Sequence, residues 1–332
     1  MAYYERKLAL KKLKALYFST KAEVKDFRQK MEELFEEPIL PNGVDFEEKK
    51  YSTVSCDILS PVLYSTRRII LYIHGGCFVG GSRKVYRAFV ASLASSLSSR
   101  AVVPEFRLAP THPYPASLDD VQTVFRSIYT EELVANSLDN ASDLQKSKPE
   151  IIIMADGSGA SIAMGLILSL KERFRLSVKK VVLFSPWLDV SVDSQKFQKK
   201  KSGDNLTNAL AIKKSAELYT FQENRNSPLV SPLKATREQL ENFPPVYIQI
   251  GEDEFLRDDA ENLKAKFLDS GIECEVDVFK GMPAMFQMAD EYFKEAHLAI
   301  ERIGSLFTKR KIDSSDSQTE IWLTLETKNV KN

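Results

Sequence analysis

Histidine is scarce in this chain of 332 residues, which holds only His74, His112 and His297. Any chemistry that needs imidazole as a ligand, proton shuttle or general base has few places to find it. Cysteine is as sparse. Cys56, Cys77 and Cys274 are odd in number, widely spaced and form no Cys-x-x-Cys pair, which argues against a disulfide framework and against a zinc site. No metal and no other cofactor is expected. Neither sign of charge prevails, because Lys plus Arg and Asp plus Glu number 46 each. Nothing therefore points to nucleic acid or an anionic membrane as the main partner. No apolar run approaches the ~18 residues of a transmembrane segment. The opening stretch MAYYERKLALKKLKALYF is basic and amphipathic but has no continuous apolar core, so it does not read as a secretory signal. A cytoplasmic location is expected.

The remaining composition, 43% hydrophobic and 28% charged, is that of a globular protein. The length would allow two domains, yet α/β folds often run this long as one. Val24, Phe27, Met31, Leu34 and Phe35 recur at helical spacing, and Pro38 stops the pattern, which predicts helix over 3–37. Residues 44–59 alternate like a pair of strands. Short apolar runs then follow in RRIILYIHGG, SRAVVPEFR, EIIIMADG, KKVVLFSPW, PPVYIQIGEDE and CEVDVFKG, separated by helical stretches. That rhythm predicts an α/β fold with a mostly parallel sheet of about eight strands, covered by helices on both faces.

Two stretches interrupt it. Residues 137–150 read as a polar loop. Residues 191–240 are rich in Lys, Asn and Ser with a helical segment near 206–220. The expected division is N-terminal cap helices over 1–43, a core over 44–190, a cap insertion over 191–240, more core over 241–310 and a polar tail over 311–332. Within the tail, Ile321, Leu323 and Leu325 alternate like an edge strand.

The motifs carry more. His74-Gly75-Gly76-Cys77-Phe78 follows the run IILYI directly. Glycines after a strand let the backbone turn sharply and aim N–H groups into a cleft, where they can stabilise an oxyanion. FRLAPTHPYPA, ADGSGAS, Ser185-Pro186-Trp187-Leu188-Asp189, Ser231-Pro232-Leu233, Glu254-Phe255-Leu256-Arg257-Asp258 and GMPAMF follow in order. This series resembles the hormone-sensitive-lipase-like family of α/β-hydrolases, with its HGGGF, YRLAP, GDSAGG, SPxxD, SPL, acid-xLxD and GxxHxF motifs. Seven sites in matching order, spanning about 67–308, are beyond chance. The resemblance implies an α/β-hydrolase fold with a helical cap and the ancestry of a carboxylesterase or lipase.

The departures fall on the family's chemistry. Its nucleophile stands on a strained strand-to-helix turn, and the matching position here is Gly157. Its base position is Ala284. Its acid position is retained as Glu254, preferred over Asp253 by its spacing to Asp258; the alternative is a carboxylate that caps a helix starting near Asp258. The implied oxyanion donors are Gly75, Gly76, Cys77 and Ser158. Ser158 is also the only alternative nucleophile nearby, by a slip of one residue, although Asp156 and Ala160 would then stand where the turn needs glycine. Neither His112 nor His297 matches a catalytic position, and each reads as solvated or packed. His74 matches a structural histidine. The Cys77 thiol has no obvious neighbour to lower its pKa.

Two functional classes follow, with a third beside them. The chain is a pseudo-hydrolase that binds a small apolar or acyl-like ligand, or a protein, without turnover. Alternatively it is a carboxylesterase of short-chain esters working through Ser158. The third reading is a scaffold whose cleft is filled. Homo-oligomerisation stays open.

Overall fold

The structure is a computed structural model that describes residues 3–35, 40–62, 64, 67–139, 148–191 and 203–308. Its frame is one eight-stranded sheet in the order β1-β2-β4-β3-β5-β6-β7-β8. The strands are β1 (Val44–Tyr51), β2 (Val54–Pro61), β3 (Arg68–Ile73), β4 (Arg100–Pro104), β5 (Glu150–Asp156), β6 (Val178–Phe184), β7 (Val246–Gly251) and β8 (Cys274–Phe279). β1 and β2 form a hairpin, and β2 runs antiparallel to β4. The pairings from β4 across to β8 are parallel. All six apolar runs are strands, and the pair expected over 44–59 reaches Pro61.

Central strands carry unbroken apolar runs because both faces are covered. Ile151, Ile152, Ile153, Met154 and Ala155 of β5 are completely buried. The edge strand β8 is instead half-buried or exposed along its length and buried only at Phe279. Around the sheet lie α1 (Tyr3–Leu13), α2 (Val24–Phe35), α3 (Arg83–Ser96), α4 (Ala116–Asp139), α5 (Gly157–Ser169), α6 (Glu172–Arg175), α7 (Ala209–Tyr219), α8 (Arg257–Asp269) and α9 (Lys294–Thr308). The central helix α5 is apolar on nearly all sides, as a fully buried helix must be. Gly159 lets it pack tightly, because a Cβ there would collide with the carbonyl oxygens of Ile73 and His74.

Two expectations need revision, and a third is untested. Residues 3–37 are not one helix: a single 3-10 turn at Lys14–Leu16 ends α1, and α2 starts only at Val24. Leu16 and Phe18 are buried in that break, so tertiary burial overrides local periodicity there. The loop expected over 137–150 starts later, since α4 continues to Asp139. The edge strand expected near Ile321 lies outside the described residues.

The loops after β3, β4, β5, β6, β7 and β8 gather at one end of the sheet, where this class of fold places its cleft. The N-terminal segment lies on those loops. Arg28 donates from Nε to the Val79 carbonyl at 2.7 Å and from Nη2 to the Ala109 carbonyl at 2.9 Å. Arg6 donates to the Gly281 carbonyl at 2.7 Å. From the other side, Tyr219 of α7 stacks on Phe78 with ring centroids 3.8 Å apart. Among the described residues, no helix is long and apolar enough to cross a membrane.

On β2, the fully buried Asp57 accepts from Arg83 Nη1 at 2.5 Å and from Arg87 Nε at 2.7 Å, tying α3 to the sheet. Truncating Asp57 removes the ion pair of Arg87, whereas Arg83 keeps Glu48 at 3.0 Å. Asp57→Ala is expected to cost roughly 3–5 kcal/mol, read as a lowered urea midpoint with an unchanged slope. A loss below about 1 kcal/mol would show that the two guanidiniums find equivalent partners.

Candidate active site

β5 ends at Asp156, and the chain enters α5 through Gly157 at φ +45°. This left-handed conformation is one that L side chains rarely adopt. The Trp187 amide donates to the Gly157 carbonyl at 2.9 Å and holds the turn. A Cβ built on Gly157 meets nothing nearer than the Gly75 Cα at 4.0 Å. The position that the motif order matches to a nucleophile therefore has the strained turn and open space for a side chain, but no side chain.

Asp156 supports this turn from below. Its Oδ1 accepts from the Tyr72 hydroxyl at 2.9 Å and the Gly75 amide at 2.8 Å, and its Oδ2 accepts from the Tyr86 hydroxyl at 2.9 Å. Burial pushes its carboxyl up to about 7, and the three donors oppose that rise. A Cβ on Gly75 would collide with this carboxylate, so glycine is required there. The contact also corrects one expectation: the Gly75 N–H is spent on Asp156 and is not free for an oxyanion. The amides of Gly76 and Cys77 make no hydrogen bond among the described residues, and both residues line the chamber beside Gly157.

That chamber is small, with a volume of about 20 Å³. It holds about one water molecule. Tyr17, Cys77, Trp187, Ile212 and Met285 close round it, with Gly157 and Ser158 at its floor. Tyr17 comes from the break between α1 and α2. Its phenol is held well above its ordinary pKa, first by burial and then by the charges of Glu254 and Asp204, so it stays protonated. No helical or strand periodicity in the sequence marked Tyr17 for this place.

Ser158 is 3% exposed, and its Oγ accepts from the Phe78 amide at 3.0 Å. The hydroxyl thereby braces the glycine-rich loop. The Cys77 thiol faces the N-terminal segment, accepting from the Phe18 amide at 3.4 Å, and burial pushes it up to about 11. It is not a ready nucleophile.

The remaining expected positions stand outside the chamber wall. Glu254 is buried, and its Oε2 accepts from the Gly251 amide at 3.3 Å. The N-cap of α8 is Leu256, whose side chain makes no cap bond. Ala284 is buried and its amide donates to Asp204 Oδ2 at 3.0 Å, a contact that local sequence gave no means of foreseeing. Met285, beside it, takes φ +55° and donates to Ser185 Oγ at 3.0 Å. No histidine lines the chamber. His74 stacks between Phe106 at 4.2 Å and Tyr86 at 5.4 Å, and burial pushes its pKa down to about 4. His112 and His297 are exposed.

The raised carboxyl of Asp156 has a signature in stability. Its folded pKa of about 7 exceeds the ordinary aspartate value of 3.8, so the folded state binds the proton more tightly. Its contribution to stability is greatest below about pH 4 and declines as pH rises to about 7. The stability of wild type relative to Asp156→Asn is expected to fall across that window, by at most about 1.4 kcal/mol per pH unit. Urea titrations at successive pH values measure it. A constant difference would mean that Asp156 ionises normally.

Comparison with known proteins agrees with this geometry. A family profile described as an alpha/beta hydrolase fold matches residues 70–288. An esterase of Acinetobacter venetianus is 30% identical over 251 residues, covering 75% of this chain and 77% of that protein. An acetyl-hydrolase of Streptomyces hygroscopicus is 26% identical, covering 72% of this chain and 74% of its own. Among solved structures, an esterase from the bacterial hormone-sensitive lipase family superposes with a TM-score of 0.75 at 23% identity, over 92% of this chain and 98% of that one. By fold, by the turn at Gly157 and by descent, the chain belongs to the α/β-hydrolase family.

Proposed function

We propose that this protein is a non-catalytic member of its family, a pseudo-hydrolase that binds a ligand or partner without turning over an ester. In this reading Gly157 occupies the nucleophile position and Ala284 the base position, beneath a cap formed by 1–43 and 191–240. The observation that carries it is the combination at one turn: strained backbone, open space, no side chain. Triad members act as a unit, so loss of one removes nearly all of their benefit. Serine, moreover, needs an adjacent base to be activated. Amides such as those of Gly76 and Cys77, with binding, retain on the order of 10³-fold over water in such sites. Even that requires room for an acyl group, and about 20 Å³ beside Gly157 provides none.

Esterase activity through Ser158 is the competing reading, and the names of the relatives agree with it. Against it stand the burial of Ser158, its bond to the Phe78 amide and the absence of imidazole from the chamber wall. Purified protein is expected to hydrolyse p-nitrophenyl acetate and butyrate no faster than its Ser158→Ala variant. A saturable activity that disappears in Ser158→Ala would establish the displaced nucleophile instead.

The chamber also sets the terms for rebuilding a site. Gly157→Ser with Ala284→His restores the two side chains but leaves Tyr17 in the acyl space. Adding Tyr17→Ala is expected to raise acetate-ester hydrolysis by about 10²-fold or more over the double variant. Equal rates in a folded double and triple variant would show that Tyr17 is not the obstruction.

A further inference from the structure

Tyr17 has a second face. Together with Ala15 and Phe18 it forms part of the wall of a cavity of about 510 Å³ that opens between the N-terminal segment and the start of α7. This volume lies in the range of small-molecule sites, and the chamber at Gly157 does not. The composition of the cavity is asymmetric. Lys14, Lys21 and Lys30 border it against one carboxylate, Asp26. None of the three lysines forms an ion pair among the described residues. A fourth, Lys214, lies over the Phe18 ring at 5.3 Å.

Apolar surface and a polar end adjoin each other inside. Phe18 and Phe27 pack edge to face at 5.4 Å, and Leu206 lies on the same wall. At the α7 end, Thr207 Oγ1 is buried with no hydrogen-bond partner among the described residues. Asn208 caps α7 and accepts from the Ala211 amide at 3.0 Å. The helix start carries positive partial charge beyond that one bond.

From these features we propose that the cavity is a binding site for a small amphiphile, with an anionic carboxylate or phosphate-monoester head and an apolar body. The head lies toward the lysines and the start of α7, and the body lies against Phe18, Phe27 and Leu206. The proposal rests on the binding reading above and supplies its ligand class. It moves the ligand out of the family's cleft, to the far side of Tyr17.

The test is calorimetric titration of the full-length protein with octanoate, octyl phosphate, octanol and octyltrimethylammonium. One or both anions are expected to bind saturably, at least about tenfold more tightly than the alcohol or the cation. The two anions together tell a carboxylate site from a phosphate site. Rising salt is expected to weaken the anions, because the lysines are exposed. Lys21→Glu with Lys30→Glu, both at the surface, is expected to weaken the preferred anion at least about tenfold while leaving the thermal midpoint unchanged. Ala22→Trp, which fills the cavity, is expected to abolish binding. No saturable binding of either anion, equal binding of the cation, or indifference to both variants would overturn the proposal. Ester hydrolysis measured on the same samples keeps the two ideas apart. Turnover dependent on Ser158 would remove the non-catalytic reading, while the titrations alone decide the anion site.

Discussion

The carboxylate of Asp156 joins the end of β5 to the loop after β3, and the geometry of the site depends on that join. Tyr72, Tyr86 and the Gly75 amide all donate to it. A buried carboxylate is tolerated only with such partners. Their placement fixes where the glycine-rich loop runs, and Ser158 then braces the same loop through the Phe78 amide. The strained turn at Gly157 is therefore over-determined by its neighbours. It keeps its shape without help from a side chain at 157, so a hydrolase-like backbone persists around a glycine.

Closure of the site comes from a different part of the chain. Tyr17 descends from the break between two N-terminal helices, and Ile212 approaches from α7. The space in front of Gly157 is lined by the N-terminal segment, by α7 and by Met285, whose neighbour Ala284 is anchored through Asp204. The chamber is about the size of a water molecule and has a protonated phenol in its wall. A larger volume lies outside Tyr17, where the N-terminal segment presents Lys14, Lys21 and Lys30.

Much of this was legible in the sequence because it was written in local pattern. Fully buried parallel strands appear as unbroken apolar runs such as IIIMA, and the turns after them carry glycines where backbone must approach backbone. Order and spacing placed Gly157 at the strand-to-helix turn. What stayed hidden was non-local. Tyr17 looks like one more apolar residue in an amphipathic stretch, yet its position is set by contacts with loops far along the chain. The spending of the Gly75 amide on Asp156 and the Asp204 bond to Ala284 arise from pairings 81 and 80 residues apart.

The central claim is that no serine in this cleft is a nucleophile. It is tested most directly by incubating the protein with a fluorophosphonate, which phosphonylates activated serines regardless of the natural acyl group, and weighing the intact chain. The account predicts an unchanged mass and no modified peptide containing Ser158 after prolonged exposure. A single stoichiometric adduct mapped to Ser158 would contradict it.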